Sequence, residues 1–295
     1  MDWITHLFSV KRKRIYLDYA AATPLIQEVK LEMGRFFSRD FYNPSAIYEE
    51  GVAVKGAIEE YRAQIAKSVG SGSKEVIFTS SGTESDNLAI LGVAEASLEY
   101  TNKPHIIVSA IEHAAVMQAA HEVVRRGGEL SILPVDEEGV VSVEALKKLL
   151  KKNTILVSVG LANSEIGTVQ PLAKIGRIIR EERKERGSTY PLLHTDASAA
   201  PSYVPINLES LQCDLVSLDG AKVYGPKGIG ILAHRRGISL HPIIFGGSQE
   251  RGARGGTLNP PLIAGCAHAL TIAARDRDVE AKRAHERAVK RFGIN

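Results

Sequence analysis

The run Val216-Ser-Leu-Asp-Gly-Ala-Lys222 is apolar apart from one acid, ends on a lysine and is followed at once by Val-Tyr-Gly-Pro-Lys-Gly-Ile-Gly230. An amine held beside apolar residues and aimed into a cleft has a lowered pKa and can form a Schiff base with a carbonyl compound. The same lysine would equally suit an exposed position before a turn. Four other segments offer matching chemistry. Thr79-Ser-Ser-Gly-Thr-Glu-Ser-Asp-Asn-Leu88 is a small-residue loop opening a helix, where free N–H groups and hydroxyls suit a phosphate, or ordinary capping. Ser109-Ala-Ile-Glu-His113 offers an imidazole that can stack on a flat ring or serve as a structural hydrogen-bonder. Ala162-Asn-Ser-Glu-Ile-Gly-Thr-Val-Gln-Pro171 supplies amide and hydroxyl groups, or turn chemistry. His194-Thr-Asp-Ala-Ser198 carries Asp196, a carboxylate able to keep a pyridine nitrogen protonated or to cap a helix.

These segments share one property: each directly follows a short β-branched run. Strands are expected at 75–79, 105–109, 129–133, 154–159, 191–195 and 215–218, alternating with helices at 85–100, 114–126, 143–151 and 172–186. Such alternation predicts an α/β fold with a mostly parallel central sheet and helices on both faces. Ligands then sit beyond the carboxyl ends of the strands. Four strand ends and one lysine converge on an anionic, aromatic, carbonyl-bearing cofactor, a description that pyridoxal phosphate meets.

The 295 residues, 44% of them hydrophobic, can bury a substantial core, and the length suggests about two domains. A net charge of +3, with bases dispersed apart from Lys11-Arg-Lys-Arg14 and the C-terminal helix, argues against nucleic acid as the main partner. No apolar run reaches the length of a membrane span, and Met1–Val10 lacks the layout of a signal peptide. Two cysteines, Cys213 and Cys266, stand in contexts that read as packing positions and have no paired spacing; a reducing cytoplasm fits this usage. The segment 275–291 alternates acids and bases and reads as an exposed helix.

In sequence the chain resembles the cysteine desulfurases, pyridoxal-phosphate enzymes of the class V aminotransferase group and of fold type I. The resemblance is carried by Tyr16-Leu-Asp-Tyr-Ala-Ala-Ala-Thr-Pro24, Asn43-Pro-Ser45, the 78–88 loop, the 109–113 and 163–171 segments, Tyr224-Gly-Pro-Lys-Gly228 and Gly246-Gly-Ser-Gln-Glu-Arg-Gly-Ala-Arg-Gly-Gly-Thr-Leu258. It implies that Lys222 holds pyridoxal phosphate covalently, that Asp196 pairs with the pyridine nitrogen and that His113 stacks on the ring and serves catalysis with Lys222. Gly82 and Thr83 would bind the phosphate, Ser164 would lie against the ring, and Thr257 would reach the phosphate of a partner subunit in a homodimer. The division implied is an N-terminal part of a small domain at 1–24, a cofactor-binding large domain at 25–260, and the start of an incomplete small domain at 261–295. The substrate implied is L-cysteine or a similar amino acid, its sulfur passing to an acceptor for iron–sulfur cluster or thio-cofactor assembly.

Departures from the family pattern cluster around the same residues. Ser-Gly-His-Lys becomes Asp219-Gly-Ala-Lys222, a glutamine becomes Ala199, Asn-Asn-Glu becomes Asn163-Ser-Glu165, and a histidine becomes Phe245. An acid facing a phosphate dianion weakens its binding. The family's persulfide-forming cysteine and an arginine for the substrate carboxylate are expected beyond Asn295, so that this chain alone would be incompetent as a desulfurase and would need a complementary chain. Two alternatives accompany this reading: another lyase or aminotransferase reaction on the same lysine, and a non-catalytic scaffold or dimerisation partner.

Overall fold

A computed structural model describes residues 15–293; Met1–Val10 and the Lys11–Arg14 cluster lie outside the described residues. Seven strands form one sheet in the order β1-β7-β6-β5-β4-β2-β3. They are β1 (Val76–Thr79), β2 (His105–Ser109), β3 (Glu129–Leu133), β4 (Thr154–Ser158), β5 (Leu192–Asp196), β6 (Leu215–Asp219) and β7 (Gly230–His234). Strands β3, β2, β4, β5 and β6 pair in parallel, whereas β7 runs antiparallel between β6 and β1. The sheet is thus mostly parallel, and β2 and β4 are buried at every position, as strands covered on both faces must be.

Alternate residues of each strand serve opposite faces. Ile107, Val157, Leu193 and Val216 enter one apolar core with α1 (Gln27–Gly34), α2 (Glu49–Val69), α5 (Val143–Leu149), α6 (Leu172–Arg186) and the first half of α8 (Pro260–Phe292). Ile106, Val108, Leu156 and Leu215 enter a second core under α3 (Gly82–Ala96) and α4 (Ala114–Arg125). A short α7 (Leu208–Leu211) completes the helices. Each fully buried Leu, Ile or Val contributes about 1.5–3 kcal/mol of transfer free energy.

Local chemistry sets the element ends. Ser81 caps α3 by accepting the Glu84 N–H at 3.2 Å, while Glu84 reaches back to the Ser80 N–H at 2.8 Å, so two orphan donors are satisfied at that end. At the other extreme, Asn259 caps α8 ahead of Pro260 and Pro261, where the missing proline N–H costs nothing.

The structure adds four elements to the predicted set, the short α7 among them. Strand β7 follows Lys227-Gly-Ile-Gly230, whose glycines read as turn punctuation; Gly230 is required because a Cβ there would lie 2.2 Å from the Ser81 backbone. Helices α1 and α2 precede the first predicted strand. The charged segment predicted at 275–291 is the second half of the 33-residue α8, continuous with a buried first half that includes Ile263, Ala267 and Leu270.

Candidate active site at the carboxyl ends of the strands

The predicted site residues other than Thr257 stand at or shortly after the end of a strand. His113 caps α4 four residues after β2 ends, accepting the Ala115 N–H at Nδ1 over 3.1 Å. Asp196 is the last residue of β5 and accepts the Ser198 N–H at 2.8 Å. Lys222 closes the 3₁₀ turn 220–222 that follows β6. His113, Ser164, Asp196 and Lys222 line one cavity of about 360 Å³, together with Glu112, Ser198 and Ala199. A second, more apolar hollow of about 560 Å³ adjoins it through Asn163, Ser164, Ala199 and Lys222, and is walled by Tyr19, Tyr203 and Tyr224.

The surroundings of Lys222 correct one expectation. The amine is not packed among apolar groups: Nζ donates to the carbonyls of Ala20 and Ala21, each at 2.7 Å. The segment providing those carbonyls is tied down next door, where the Thr23 N–H donates to Ala221 O at 2.9 Å and the Tyr224 N–H donates to Thr23 Oγ1 at 2.7 Å.

Two acids that sequence reading passed over belong to this region: Glu112 lines the cavity, and Asp86 lies close enough to Asp196 for their charges to interact. Glu112 accepts the Gly160 N–H at 2.8 Å and the Ser109 hydroxyl, yet burial pushes its carboxyl up to about 7. Asp86, on α3, is 1% exposed and its Oδ1 has no hydrogen-bond partner among the described residues; burial first, and the Asp196 charge second, raise its pKa well above its ordinary value. Next to it, His194 bonds Ser158 Oγ at 2.8 Å and Ser217 Oγ at 2.9 Å, and burial lowers its pKa to about 3. Its Nε2 lies 3.7 Å from Asp86 Oδ1, and both shifts favour a neutral pair over an ionic one. An acid placed directly after a buried strand signalled Glu112. Nothing distinguished Asp86 from the capping residues around it.

Gly82 and Thr83 open α3. Gly82 borders the cavity through Ser198: a Cβ on Gly82 would come within 2.9 Å of Ser198 Oγ and 3.2 Å of Asp219 Oδ2, so the backbone forms a cradle that only glycine leaves open. Thr83 is exposed beside it. Thr257 is exposed and does not line the cavity of its own chain. Cys213 and Cys266 are buried packing residues, 0% and 1% exposed. The donor set of a primary amine, a carboxylate and an imidazole around one cavity fits the ring and carbonyl of pyridoxal phosphate. The cradle at Gly82, in contrast, already faces a carboxylate.

A family profile described as Aminotransferase class-V matches residues 15–293. The chain belongs to the class-V aminotransferase family. Members of this family depend on pyridoxal phosphate, and the sheet described above is the fold type I arrangement of their large domain. Within the family the chain is 45% identical to "Cysteine desulfurase IscS" of Dictyoglomus turgidum over 93% of its own length and 68% of that protein's. It is 41% identical to "Putative cysteine desulfurase IscS 1" of Bacillus subtilis over 90% of its length and 68% of the other. Among solved structures, "NIFS-LIKE PROTEIN" superposes with a TM-score of 0.84 at 38% identity, covering 89% of this chain and 70% of that one. "SspA in complex with cysteine" superposes with a TM-score of 0.81 at 37% identity, covering 88% and 72%. This class-V member is therefore cysteine desulfurase-like in sequence and fold. No helix among its described residues is long and apolar enough to cross a membrane.

Proposed function

We propose that the chain is a pyridoxal-phosphate protein acting on L-cysteine or a closely similar amino acid, related to the enzymes that release sulfur for iron–sulfur cluster or thio-cofactor assembly. The observation that carries this reading is the placement of Lys222, Asp196 and His113 around one cavity. When bound, the cofactor supplies an electrophilic carbonyl and an electron-withdrawing ring. Lys222 Nζ holds it and is the one amine lining the cavity that can carry a proton to and from the substrate carbon. Asp196, at the end of β5, keeps the ring nitrogen protonated, and His113 lies against the ring. Ser164, at the exposed rim, orients the ring edge, and Gly82 and Thr83 receive the phosphate arm.

Neither cysteine of this chain is placed to take sulfur from the substrate, since both side chains belong to the apolar core. The thiol that takes the sulfur is therefore one that these 295 residues do not supply, such as that of a sulfur acceptor. Exposure of Thr257 supports a homodimer in which this residue serves the partner's cavity. A cytoplasmic setting, and a division into large and small domains near residues 24 and 260, complete the reading.

The test is to purify the protein with pyridoxal phosphate, reduce it with borohydride and locate the adduct by peptide mass spectrometry, with Lys222→Ala as the control. The expected result is a visible absorption band that disappears on reduction and a pyridoxyl group on Lys222. An adduct spread over surface lysines, unchanged in Lys222→Ala, would overturn the assignment.

A further inference from the structure

We propose that Asp219 is a resident anion in the phosphate seat of this cavity and sets its preference against phosphorylated ligands, which bind only by displacing the carboxylate. The inference rests on the cofactor reading above. Its support is the position of Asp219 itself. Oδ2 accepts the N–H of Gly82, the first residue of the 15-residue α3, at 3.0 Å, and Oδ1 accepts the N–H of Ala221 at 2.8 Å. The Gly82 N–H is a donor that an oxyanion at the start of α3 would use, and a helix N-terminus favours one negative group there. Ser198 Oγ and Asp219 Oδ2 both crowd the point where a Cβ on Gly82 would stand, which places the carboxylate at the cradle rather than out in solvent.

Among the described residues, no free cation compensates at this end of α3. Arg254, which the 246–258 loop brings to the first turn, is paired with Glu84 at 2.9 Å. Lys222 Nζ is directed to Ala20 and Ala21. A phosphate dianion entering the cradle therefore meets a like charge holding its N–H donor. A ligand with a neutral hydroxymethyl arm in that place meets only an acceptor that its hydroxyl can bond. Asp219 thus reduces the advantage of pyridoxal phosphate over pyridoxal while leaving the ring end of the cavity untouched.

The experiment is an absorbance titration of the full chain with pyridoxal phosphate and, separately, with pyridoxal, for the wild type, Asp219→Ser and Asp219→Asn. Thermal melting of each protein with and without inorganic phosphate accompanies it. The expected outcome is a gain in affinity for pyridoxal phosphate of about tenfold or more in Asp219→Ser, equivalent to about 1.4 kcal/mol, with pyridoxal changed by less than about twofold. Inorganic phosphate should raise the melting temperature of Asp219→Ser and not that of the wild type. Asp219→Asn keeps the side-chain shape and one acceptor, so it reports loss of charge should the serine variant fold poorly. Equal gains for both ligands, or none for either with no phosphate effect, would overturn the proposal. Failure of the cofactor reading has a different signature: no adduct on Lys222 in any variant, with phosphate still stabilising Asp219→Ser.

Discussion

Arg62 and Glu250, 188 residues apart in the chain, meet as a buried two-pronged ion pair, Nη1 on Oε2 and Nη2 on Oε1, both at 2.7 Å. Their side chains are 2% and 0% exposed. Further contacts surround the pair: the Phe78 N–H donates to Glu250 at 2.8 Å, Arg62 donates to Val76 O at 2.9 Å and through Nε to Glu59 Oε1 at 3.1 Å, and the guanidinium stacks over the Phe78 ring at 4.4 Å. The pair pins the 246–258 loop, which carries Thr257, against β1, and holds Glu250 and Arg251 at the positive φ angles of 46° and 57°.

Removing one partner of such a pair leaves an uncompensated buried charge. Arg62→Ala is therefore expected to lower stability by about 3–5 kcal/mol. Arg62→Met combined with Glu250→Gln should recover part of that loss, because neither residue then buries a lone charge. Urea unfolding of the single and double variants measures both effects; a double variant no better than Arg62→Ala would show that the pair acts through loop geometry rather than charge.

Cys213 and Cys266 should be chemically silent in the folded protein. Burial pushes both thiols up, Cys266 to about 12, and the Asp214 charge adds to the effect at Cys213. Thiolate is the reactive form, so a disulfide reagent added at neutral pH should label neither until denaturant is added, when both should react. Rapid labelling of either residue under native conditions would return it to consideration as a sulfur carrier.

Much of the site was legible because its residues follow strands. The runs at 105–109, 154–159 and 215–218 stand out, and the groups after them, His113, Asn163 and Lys222, therefore had to lie at one sheet end. Strand β7 was not legible, since its first residue is a glycine chosen for close approach to Ser81 and not for β propensity. Asp86 was hidden for a related reason. Within the polar start of α3, periodicity shows that some residues face inward but not that one of them is an acid kept beside a neutral histidine. The amine environment of Lys222 depended on Ala20 and Ala21, some 200 residues away, which no local pattern encodes.

The buried titratable groups predict an unusual pH profile. His194 and His105, with folded pKa values lowered to about 3 and about 4 mainly by burial, stay neutral where the unfolded chain, with pKa near 6.5, takes up protons. They therefore remove stability as pH falls below about 6.5. Glu112, raised to about 7, and Asp86, raised well above its ordinary value, do the opposite: folded, they hold protons that the unfolded chain has released, so lowering the pH restores stability. Two groups oppose two as the pH falls below about 6.5, so these four partly cancel above about pH 4.5, with loss setting in below. Asp86→Asn removes one compensating group. Its stability should fall more steeply than the wild type's as the pH is lowered through that window, measured by urea unfolding at stepped pH. A level profile in the variant would mean that Asp86 is ionised in the folded protein.

Lys222 has a second consequence, for the segment it tethers. Its amine holds the Ala20 and Ala21 carbonyls, and charged hydrogen bonds of this kind contribute about 1.5–3 kcal/mol each. Engaging Nζ covalently replaces at least one of its N–H bonds with a bond to the ligand carbon and turns the nitrogen toward the cavity, at the expense of at least one of those carbonyl bonds. Residues 15–22 are then held mainly through the Asp18 turn, where the Ala21 N–H meets Asp18 Oδ1 at 3.1 Å. Thr23 remains anchored to Ala221 in either state. Amide exchange across 15–22 should accordingly quicken about tenfold or more after borohydride fixation of pyridoxal phosphate, and equally in Lys222→Ala without it, since about 1.4 kcal/mol corresponds to a factor of ten. Exchange at Thr23 should stay slow in both. If fixation left 15–22 unchanged while Lys222→Ala loosened it, the amine would be keeping its carbonyl bonds and the ligand would be held elsewhere. The exchange pattern therefore reports which partner Lys222 Nζ has chosen, independently of any turnover.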